Sequence, residues 1–249
     1  YFCFSKASDV EGKTGSSSSV AKATLTNTGL EDVNVIFSAD SIVDNGFHFG
    51  CRLEFDANKY LYVAMGDRYK YMKEAQNTDN HFGKVVRINR DGSAVKDNPF
   101  TDGNAPEVFS YGHRNIQGVT IHPDTGAVWA MEHGPKGGDE INILENGANY
   151  GWPWVYYKNT IDRRVKAPMP NFLTEYARYP EYALGPHVAA LGLAFTGEGN
   201  RMGDQFARGA FIARHGSWNR KPPSGYDVVY VAFDERGNPV GKPGPVLTG

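Results

Sequence analysis

A pattern that occurs three times in the chain limits the folds that are open to it. Each copy has a strand-like segment, a turn with glycine or aspartate, an apolar strand and a polar loop with glycine. The copies begin at Cys51, Gly118 and Gly192, which lie 67 and 74 residues apart. These offsets exceed those of small propeller repeats and suit propeller blades that carry long loops. Radial repetition of four-stranded sheets accommodates many short strands without helical periodicity.

The pattern therefore predicts an all-β fold, a β-propeller of which this chain supplies about four blades. A pair of β-sandwiches is the competing architecture. Aromatic residues make up 13% of the sequence and glycine occurs 29 times, which suits strands and turns. We treat residues 1–249 as a single domain. Residues 1–4 already have the pattern of a strand and no closing element follows residue 247, so we expect truncation at both ends.

Charge and hydropathy patterning exclude two classes of partner. The 26 basic and 28 acidic residues nearly balance, and no run of lysine or arginine indicates a nucleic-acid-binding face. No apolar run approaches the length of a membrane-spanning helix. We therefore expect neither a nucleic-acid partner nor a membrane-spanning segment.

Two features near the N-terminus have more than one interpretation. Cys3 and Cys51 would pair if their strands were neighbours, but free buried thiols are the favoured interpretation. Residues 5–20 are polar, with two glycines and a run of four serines, and we predict a flexible excursion there.

Unusual chemistry is concentrated in residues 110–153. Residues 132–140 contain three glycines, one proline and three carboxylates, a composition that no helix would tolerate. Such a loop can bring together carbonyl and carboxylate oxygens, the ligands that calcium prefers. Gly134 and Pro135 are therefore candidate carbonyl ligands, with Asp139 and Glu140 nearby. The alternative is a tight turn with solvated charges.

Polar residues at the ends of the three copies are candidates for one composite site. His48 precedes the first copy, Arg114 and Asn115 precede the second, and His215 and Arg220 follow the third. Histidine suits general-base chemistry near neutral pH, but residue chemistry alone favours a His48 packed between two phenylalanines. Arg114 suits an anionic ligand, with a structural ion pair as the alternative. The histidines expected to be structural or at the surface are His81, His122 and His187.

These residues lie in motifs that resemble a known family, the soluble pyrroloquinoline quinone (PQQ)-dependent sugar dehydrogenases. The matching motifs are GHRNxQG from Gly112, EHGPxGGDEIN from Glu132 and NYGWP from Asn149. The segment HFGCRLEFD from His48 is similar to the family's HxGGRL. The C-terminal part of the chain resembles the branch labelled L-sorbosone dehydrogenase. The resemblance covers nearly all of residues 40–249 and implies a six-bladed propeller.

The resemblance also implies catalytic and cofactor-binding roles. His48 matches the base that takes a proton from the sugar C1 hydroxyl while hydride passes from the sugar carbon to PQQ. Arg114 and Asn115 match residues that contact the quinone, and Arg114 stabilises its developing negative charge. We also assign His215 and Arg220 to cofactor binding.

Two calcium sites are implied in the same way. Gly134 and Pro135 match the carbonyl ligands of the calcium that sits on PQQ and polarises a quinone carbonyl. Glu140 and Tyr150 match part of a second, structural calcium site.

The chain departs from the family's pattern at several points. Cys51 stands where the family usually has glycine. Phe47 stands where some members have an acidic residue beside the base, so no carboxylate is expected from that position to orient His48. We expect the first blades and the last to be absent, and PQQ contacts from those parts are then not expected in this chain.

The leading functional hypothesis is PQQ- and calcium-dependent oxidation of an aldose or an L-sorbosone-like sugar aldehyde at C1, with electrons passed to an external acceptor. One alternative is a calcium-dependent propeller lactonase or other hydrolase, which would hold its metal in a carboxylate cage. Another is a non-catalytic carbohydrate-binding propeller, which would need no base. The resemblance implies a periplasmic or secreted location. It does not set the sugar, because specificity depends on loops such as residues 156–188.

Overall fold

The structure is a computed structural model that describes residues 1–10, 12–156, 160–161, 176–197, 199–218 and 220–248. Its regular elements are β-strands and two short 3-10 helices, which confirms the all-β prediction for this part of the chain. None of the described helices has the length and hydropathy needed to cross a bilayer. The chain divides into two compact units, Tyr1–Asn115 with Glu145–Pro153, and Ile116–Leu144 with Trp154–Gly249. The single-domain prediction stays a prediction.

The first unit contains a three-stranded and a four-stranded sheet, in which each strand is antiparallel to its neighbours. The three-stranded sheet has the order β1 (Phe2–Val10), β2 (Lys13–Thr26) and β3 (Gly29–Ser38). The other has the order β4 (Gly50–Phe55), β5 (Leu61–Met65), β6 (Lys84–Ile88) and β7 (Val108–Tyr111), with a 3-10 helix at Met72–Gln76. Apolar side chains of both sheets form one core, which includes Val20, Phe37, Leu61, Val63, Met65, Val86, Ile88 and Val108.

The polar N-terminal segment is not the flexible excursion that its composition indicates. β1 and β2 pair continuously from Phe2 opposite Ala21 to Val10 opposite Lys13. The serines at positions 17 to 19 are at most 2% exposed. Two of these hydroxyls have partners on other segments, since Ser19 Oγ donates to Ser38 Oγ over 3.0 Å and Ser18 Oγ donates to the Phe49 carbonyl over 2.9 Å. The prediction was wrong because small hydroxyl side chains can be buried when each finds a partner.

The prediction that Cys3 and Cys51 are free buried thiols was also wrong. Cys3 and Cys51 form a disulfide across 48 residues, with their Cα atoms 5.7 Å apart. The hairpin of β1 and β2 brings Cys3 beside the start of β4, where Cys51 lies. A distance of this kind depends on how two sheets pack, so the spacing of the cysteines in the sequence could not reveal it.

The second unit contains two four-stranded antiparallel sheets and a short ribbon. One sheet has the order β8 (Ile116–Ile121), β9 (Val128–Glu132), β10 (Glu140–Ile143) and β13 (Tyr182–Ala183), and the ribbon pairs β11 (Val155–Tyr156) with β12 (Thr160–Ile161). The other sheet has the order β14 (Ala190–Phe195), β15 (Gly209–Arg214), β16 (Asp227–Phe233) and β17 (Pro239–Thr248), with a 3-10 helix at Asp204–Phe206. Their shared core includes Trp129, Met131, Ile141, Ala190, Ile212, Val229, Val231 and Phe233.

The three sequence copies correspond to equivalent places in the three four-stranded sheets. Each copy supplies the first two strands of its sheet, namely β4 with β5, β8 with β9, and β14 with β15. In each case the loop with glycine follows the second strand. Much of the predicted crossing segment, residues 156–188, lies outside the described residues.

Candidate functional site

The side chain of His48 is bound to a buried carboxylate. His48 Nδ1 lies 2.6 Å from Oδ1 of Asp67, the last residue of the first copy. The Asp67 side chain is 1% exposed and that of His48 is 15% exposed. A carboxylate oxygen accepts hydrogen bonds, so Nδ1 carries the proton and Nε2 keeps a lone pair. This is the arrangement that a general base requires.

Asp67 was not identified from the sequence, and it supplies the carboxylate that the Phe47 position does not. Phe47 is 60% exposed, and the His48 ring contacts Tyr69 edge-on, with centroids 5.4 Å apart. One sequence signal could have identified Asp67. Gly66 and Asp67 follow the apolar strand of the first copy, and the polar loop of the second copy follows its apolar strand at the same place.

Three N–H groups fix the Asp67 carboxylate. Besides His48 Nδ1, the Tyr69 backbone N–H donates to Oδ1 over 2.8 Å and Trp152 Nε1–H donates to Oδ2 over 2.7 Å. Both oxygens of a buried carboxylate are therefore satisfied, and the carboxylate is held in one orientation toward the imidazole.

The backbone around this pair adopts conformations that L-residues rarely take. A Cβ on Gly66 would lie 2.1 Å from the His48 carbonyl oxygen, so only glycine lets the two segments approach. Four neighbouring non-glycine residues have φ between 49° and 70°, namely His48, Cys51, Arg68 and Tyr69. Strained backbone of this kind clusters at functional sites. The φ of 70° at Cys51 also accounts for the glycine that the family usually has at this position.

Arg114 and Asn115 lie in the same unit as His48. The Arg114 guanidinium is 5.4 Å from the ring centroid of Trp152, the residue that binds Asp67. The Asp67 backbone N–H donates to the Arg114 carbonyl over 2.8 Å. Asn115 is 6% exposed, and its Oδ1 lies beside Gly66. The first unit therefore brings together the candidate base and both predicted quinone contacts.

Tyr150 is also in the first unit and is buried. Its ring stacks on that of His113 with centroids 4.5 Å apart, and its hydroxyl oxygen accepts the Glu145 backbone N–H over 3.0 Å. A structural role is therefore evident, and the predicted role as a calcium ligand stays a prediction.

In the second unit, Asp139 organises the glycine loop. Its Oδ1 accepts the Gly134 backbone N–H over 2.9 Å and lies 2.8 Å from His187 Nδ1. Its Oδ2 accepts the backbone N–H groups of Val188 and Ala189, each over 2.9 Å. Burial alone would raise the pKa of the Asp139 carboxyl, but the hydrogen bond and charge of His187, with the backbone donors, lower it overall. His187 is therefore structural, as expected, and Asp139 anchors the loop.

The loop is tightly curled at Gly134. A Cβ at this position would lie 1.9 Å from the Gly137 carbonyl oxygen and 2.7 Å from that of Gly138. Glu140 is 5% exposed, and its Oε1 accepts Asn142 Nδ2 over 3.3 Å. Among the described residues, no three His, Cys, Asp or Glu side chains are grouped as a metal site.

His215 and Arg220 follow β15 in the second unit. The His215 backbone N–H donates to the Ala189 carbonyl over 3.0 Å, so His215 lies next to the segment that Asp139 holds. His215 is exposed and Arg220 is half-buried. The candidate residues thus fall into two groups, one in each unit, and the single composite site stays a prediction.

Comparisons with known proteins agree with the motifs. A family model described as glucose / sorbosone dehydrogenase matches residues 1–213. Aldose sugar dehydrogenase of Escherichia coli (strain K12) is 39% identical over 155 residues, which cover 61% of this chain and 41% of the relative. Quinoprotein glucose dehydrogenase B of Acinetobacter calcoaceticus is 37% identical over 126 residues, 43% of this chain and 26% of the relative. The matched part of the chain thus spans less than half the length of these relatives.

Solved structures show the same fold. The soluble aldose sugar dehydrogenase of Escherichia coli in its apo-form superposes with a TM-score of 0.81 at 29% identity, covering 98% of this chain and 67% of that one. A glucose dehydrogenase superposes with a TM-score of 0.79 at 31% identity and the same coverage. These similarities confirm the propeller class predicted from the repeats.

Proposed function

The chain belongs to the glucose / sorbosone dehydrogenase family, and we propose that it oxidises an aldose or sugar aldehyde at C1 with PQQ as the electron acceptor. The observation that carries this proposal is the pair of His48 and Asp67, with Nδ1 and Oδ1 2.6 Å apart. A carbohydrate-binding propeller would have no need for a base oriented in this way, whereas a lactonase is distinguished by a carboxylate cage around its metal.

The residues of the chain account for the proton chemistry. His48 Nε2 accepts the proton of the C1 hydroxyl, and the resulting imidazolium is stabilised by the charge of Asp67. Because Asp67 is buried and accepts hydrogen bonds from three N–H groups, its carboxylate keeps its position while the imidazole changes charge. Arg114, beside Trp152, supplies a cation for the negative charge that develops on an oxidant in the site.

Two groups that the family implies fit the residues that are present. For calcium, the curled loop at Gly134 crowds carbonyl oxygens together, and hard oxygen donors suit this cation. We assign Gly134 and Pro135 to the calcium that accompanies the quinone, and Glu140 and Tyr150 to a structural one. For the tricarboxylate PQQ, the cationic and amide side chains of Arg114 and Asn115 in the first unit are suitable donors. We propose His215 and Arg220 of the second unit as further contacts. When bound, PQQ with its calcium supplies a two-electron acceptor for the hydride leaving C1.

The finer features of the activity are part of the same proposal. The similarity of residues 191–229 to the sorbosone branch favours an L-sorbosone-like substrate. An external electron acceptor, which would reoxidise the bound cofactor, is part of the same proposal. A periplasmic or secreted location agrees with the disulfide between Cys3 and Cys51, since such bonds persist in oxidising compartments.

The proposal is tested by reconstituting the full-length protein with PQQ and calcium and measuring dye-linked oxidation of a panel of sugars. His48→Gln is expected to bind both cofactors but to lower kcat by about 10²-fold or more, the usual contribution of a general base. Bound PQQ without oxidation of any sugar would overturn the enzymatic assignment. A fully active His48→Gln variant would remove His48 from the mechanism.

A further inference from the structure

We propose that Arg68 is a positioning residue that fixes the backbone of the segment carrying the base, an inference that rests on the proposed function. We call residues 45–49, which surround His48, the base segment. Arg68 follows Asp67 directly in the chain, so consecutive residues hold the base in two ways. Asp67 holds the imidazole ring, and Arg68 holds the main chain before His48 and the Phe49 ring after it.

The Arg68 guanidinium donates hydrogen bonds to backbone carbonyls in and around the base segment. Arg68 Nε donates to the Phe47 carbonyl over 3.0 Å, and one terminal nitrogen donates to the Asn45 carbonyl over 2.7 Å. The other terminal nitrogen donates to the carbonyls of Ser16 and Ser41 over 2.6 and 3.1 Å. The base segment is thereby tied to β2 and to the loop that follows β3.

Aromatic packing completes the contact on the far side of His48. The Arg68 guanidinium carbon lies 3.8 Å from the ring centroid of Phe49, close enough for stacking and a cation–π interaction. Arg68 is 1% exposed, and burial lowers the pKa of its guanidinium to about 10. No carboxylate of the described residues forms an ion pair with it, so its charge is directed at carbonyl oxygens and the Phe49 ring.

Asn45 forms the other half of the contact. Its Nδ2 donates to the Arg68 carbonyl over 3.1 Å, and its Oδ1 accepts the Phe47 backbone N–H over 3.0 Å. Side chain and backbone of each partner therefore bind the other, which fixes the relative position of the two segments. Since φ is 49° at His48 and 54° at Arg68, both segments need outside support to keep these conformations.

The test compares two arginine-to-lysine substitutions in the full-length protein. Arg68→Lys keeps the charge but replaces the planar fork by a single ammonium, which cannot span carbonyls on opposite sides. Arg87→Lys is the matched control, because Arg87 is also a buried arginine in the first unit but binds Asp97 and Asn98. Both variants are expected to lose thermal stability.

Only Arg68→Lys is expected to affect the base. We expect kcat to fall on the order of 10²-fold, as for a small misplacement of a catalytic group, with KM and the Kd of PQQ unchanged. In the cofactor-free protein, the ring signal of His48 in a ¹H–¹³C spectrum, assigned by its loss in His48→Gln, is expected to shift and to titrate differently. Arg87→Lys should leave this signal and the pH–rate profile as in the wild type.

Each outcome decides one of the two proposals. An unchanged His48 signal and pH–rate profile in Arg68→Lys, with only the stability loss seen in Arg87→Lys, would overturn the positioning role. If Arg68→Lys does not fold, Asn45→Ala gives the same readouts, since it removes the three hydrogen bonds of the Asn45 side chain and leaves Arg68 in place. A wild-type protein that binds PQQ but oxidises no sugar would refute the proposed function, and the NMR comparison would still test the role of Arg68.

Discussion

Replacing Asp67 by asparagine tests the pair at the centre of the site with almost no change in shape. In the native protein, Oδ1 receives N–H groups from Tyr69 and His48, and Oδ2 receives the Trp152 indole N–H. Both oxygens therefore face donors only. An amide has one oxygen and one NH₂ group, so in either orientation its NH₂ opposes an N–H.

The two orientations have different consequences, and both are unfavourable. If NH₂ faces Trp152, a buried indole N–H is left unsatisfied, and the neutral amide no longer stabilises the imidazolium that forms at His48. If NH₂ faces His48, the Tyr69 N–H is left unsatisfied, and the imidazole must accept at Nδ1, which places its proton on Nε2 and removes the base. Leaving a buried donor unsatisfied costs about 1–3 kcal/mol, and loss of general-base catalysis lowers the rate by about 10²- to 10⁴-fold.

We therefore expect Asp67→Asn to lower the unfolding free energy by about 1–3 kcal/mol and kcat by at least about 10²-fold. Urea denaturation measures the first and dye-linked oxidation, well below the melting temperature, measures the second. Asp56→Asn is the matched control, because Asp56 accepts the Tyr60 backbone N–H over 2.8 Å in the turn between β4 and β5, away from the base. A folded Asp67→Asn variant with kcat within about threefold of wild type would refute the orienting role.

Two further predictions concern stability. Reduction of the Cys3–Cys51 disulfide, which spans 48 residues, should lower the unfolding free energy by about 4 kcal/mol, and coincident urea curves with and without reductant would contradict this. For His81, burial acts to lower the pKa, but Asp40 and Glu107 raise it overall. Because the folded state then binds the proton more tightly, this contribution is complete below pH 6.5 and is lost as the pH rises through the folded-state pKa. His81→Gln should reduce the fall of the unfolding free energy with rising pH, measured by urea denaturation. An unchanged dependence on pH would assign the fall to another group.

The fold could be predicted from local patterns because each copy is a local unit. The hairpins that begin at Cys51, Gly118 and Gly192 pair residues close in sequence, such as Leu53 with Val63. Alternation and turn chemistry encode such pairs directly. The same patterns failed for residues 5–20, because the hydroxyls there are satisfied by Ser38 and Phe49, which are distant in sequence.

The site was only partly predictable for the same reason. His48, Arg114 and the glycine loop stand out as residue types in recognisable motifs. Asp67 and Arg68 do not, since their roles depend on contacts 19 and 21 residues away in the chain. The pairing of Cys3 with Cys51 depends likewise on the packing of one sheet against another.

The NYGWP motif shows how a specific sequence signal can be identified while part of its physical role is missed. From sequence, the motif pointed to Tyr150 as a metal ligand. In the structure, residues Glu145–Pro153 return to the first unit, and Trp152 reaches Asp67, 85 residues earlier in the chain. Gln76 holds this segment, donating to the Trp152 carbonyl over 2.7 Å and exchanging hydrogen bonds with the Asn149 side chain.

These contacts form one path of hydrogen-bonded residues that ends at His48, the proposed base. It runs from Gln76 through Trp152 to Asp67 and then to His48. A rigid tryptophan and a paired amide hold the carboxylate from the side opposite the imidazole, so Asp67 cannot turn away when His48 changes charge. The motif therefore contributes orientation to the site through Trp152, whatever ligand role Tyr150 proves to have.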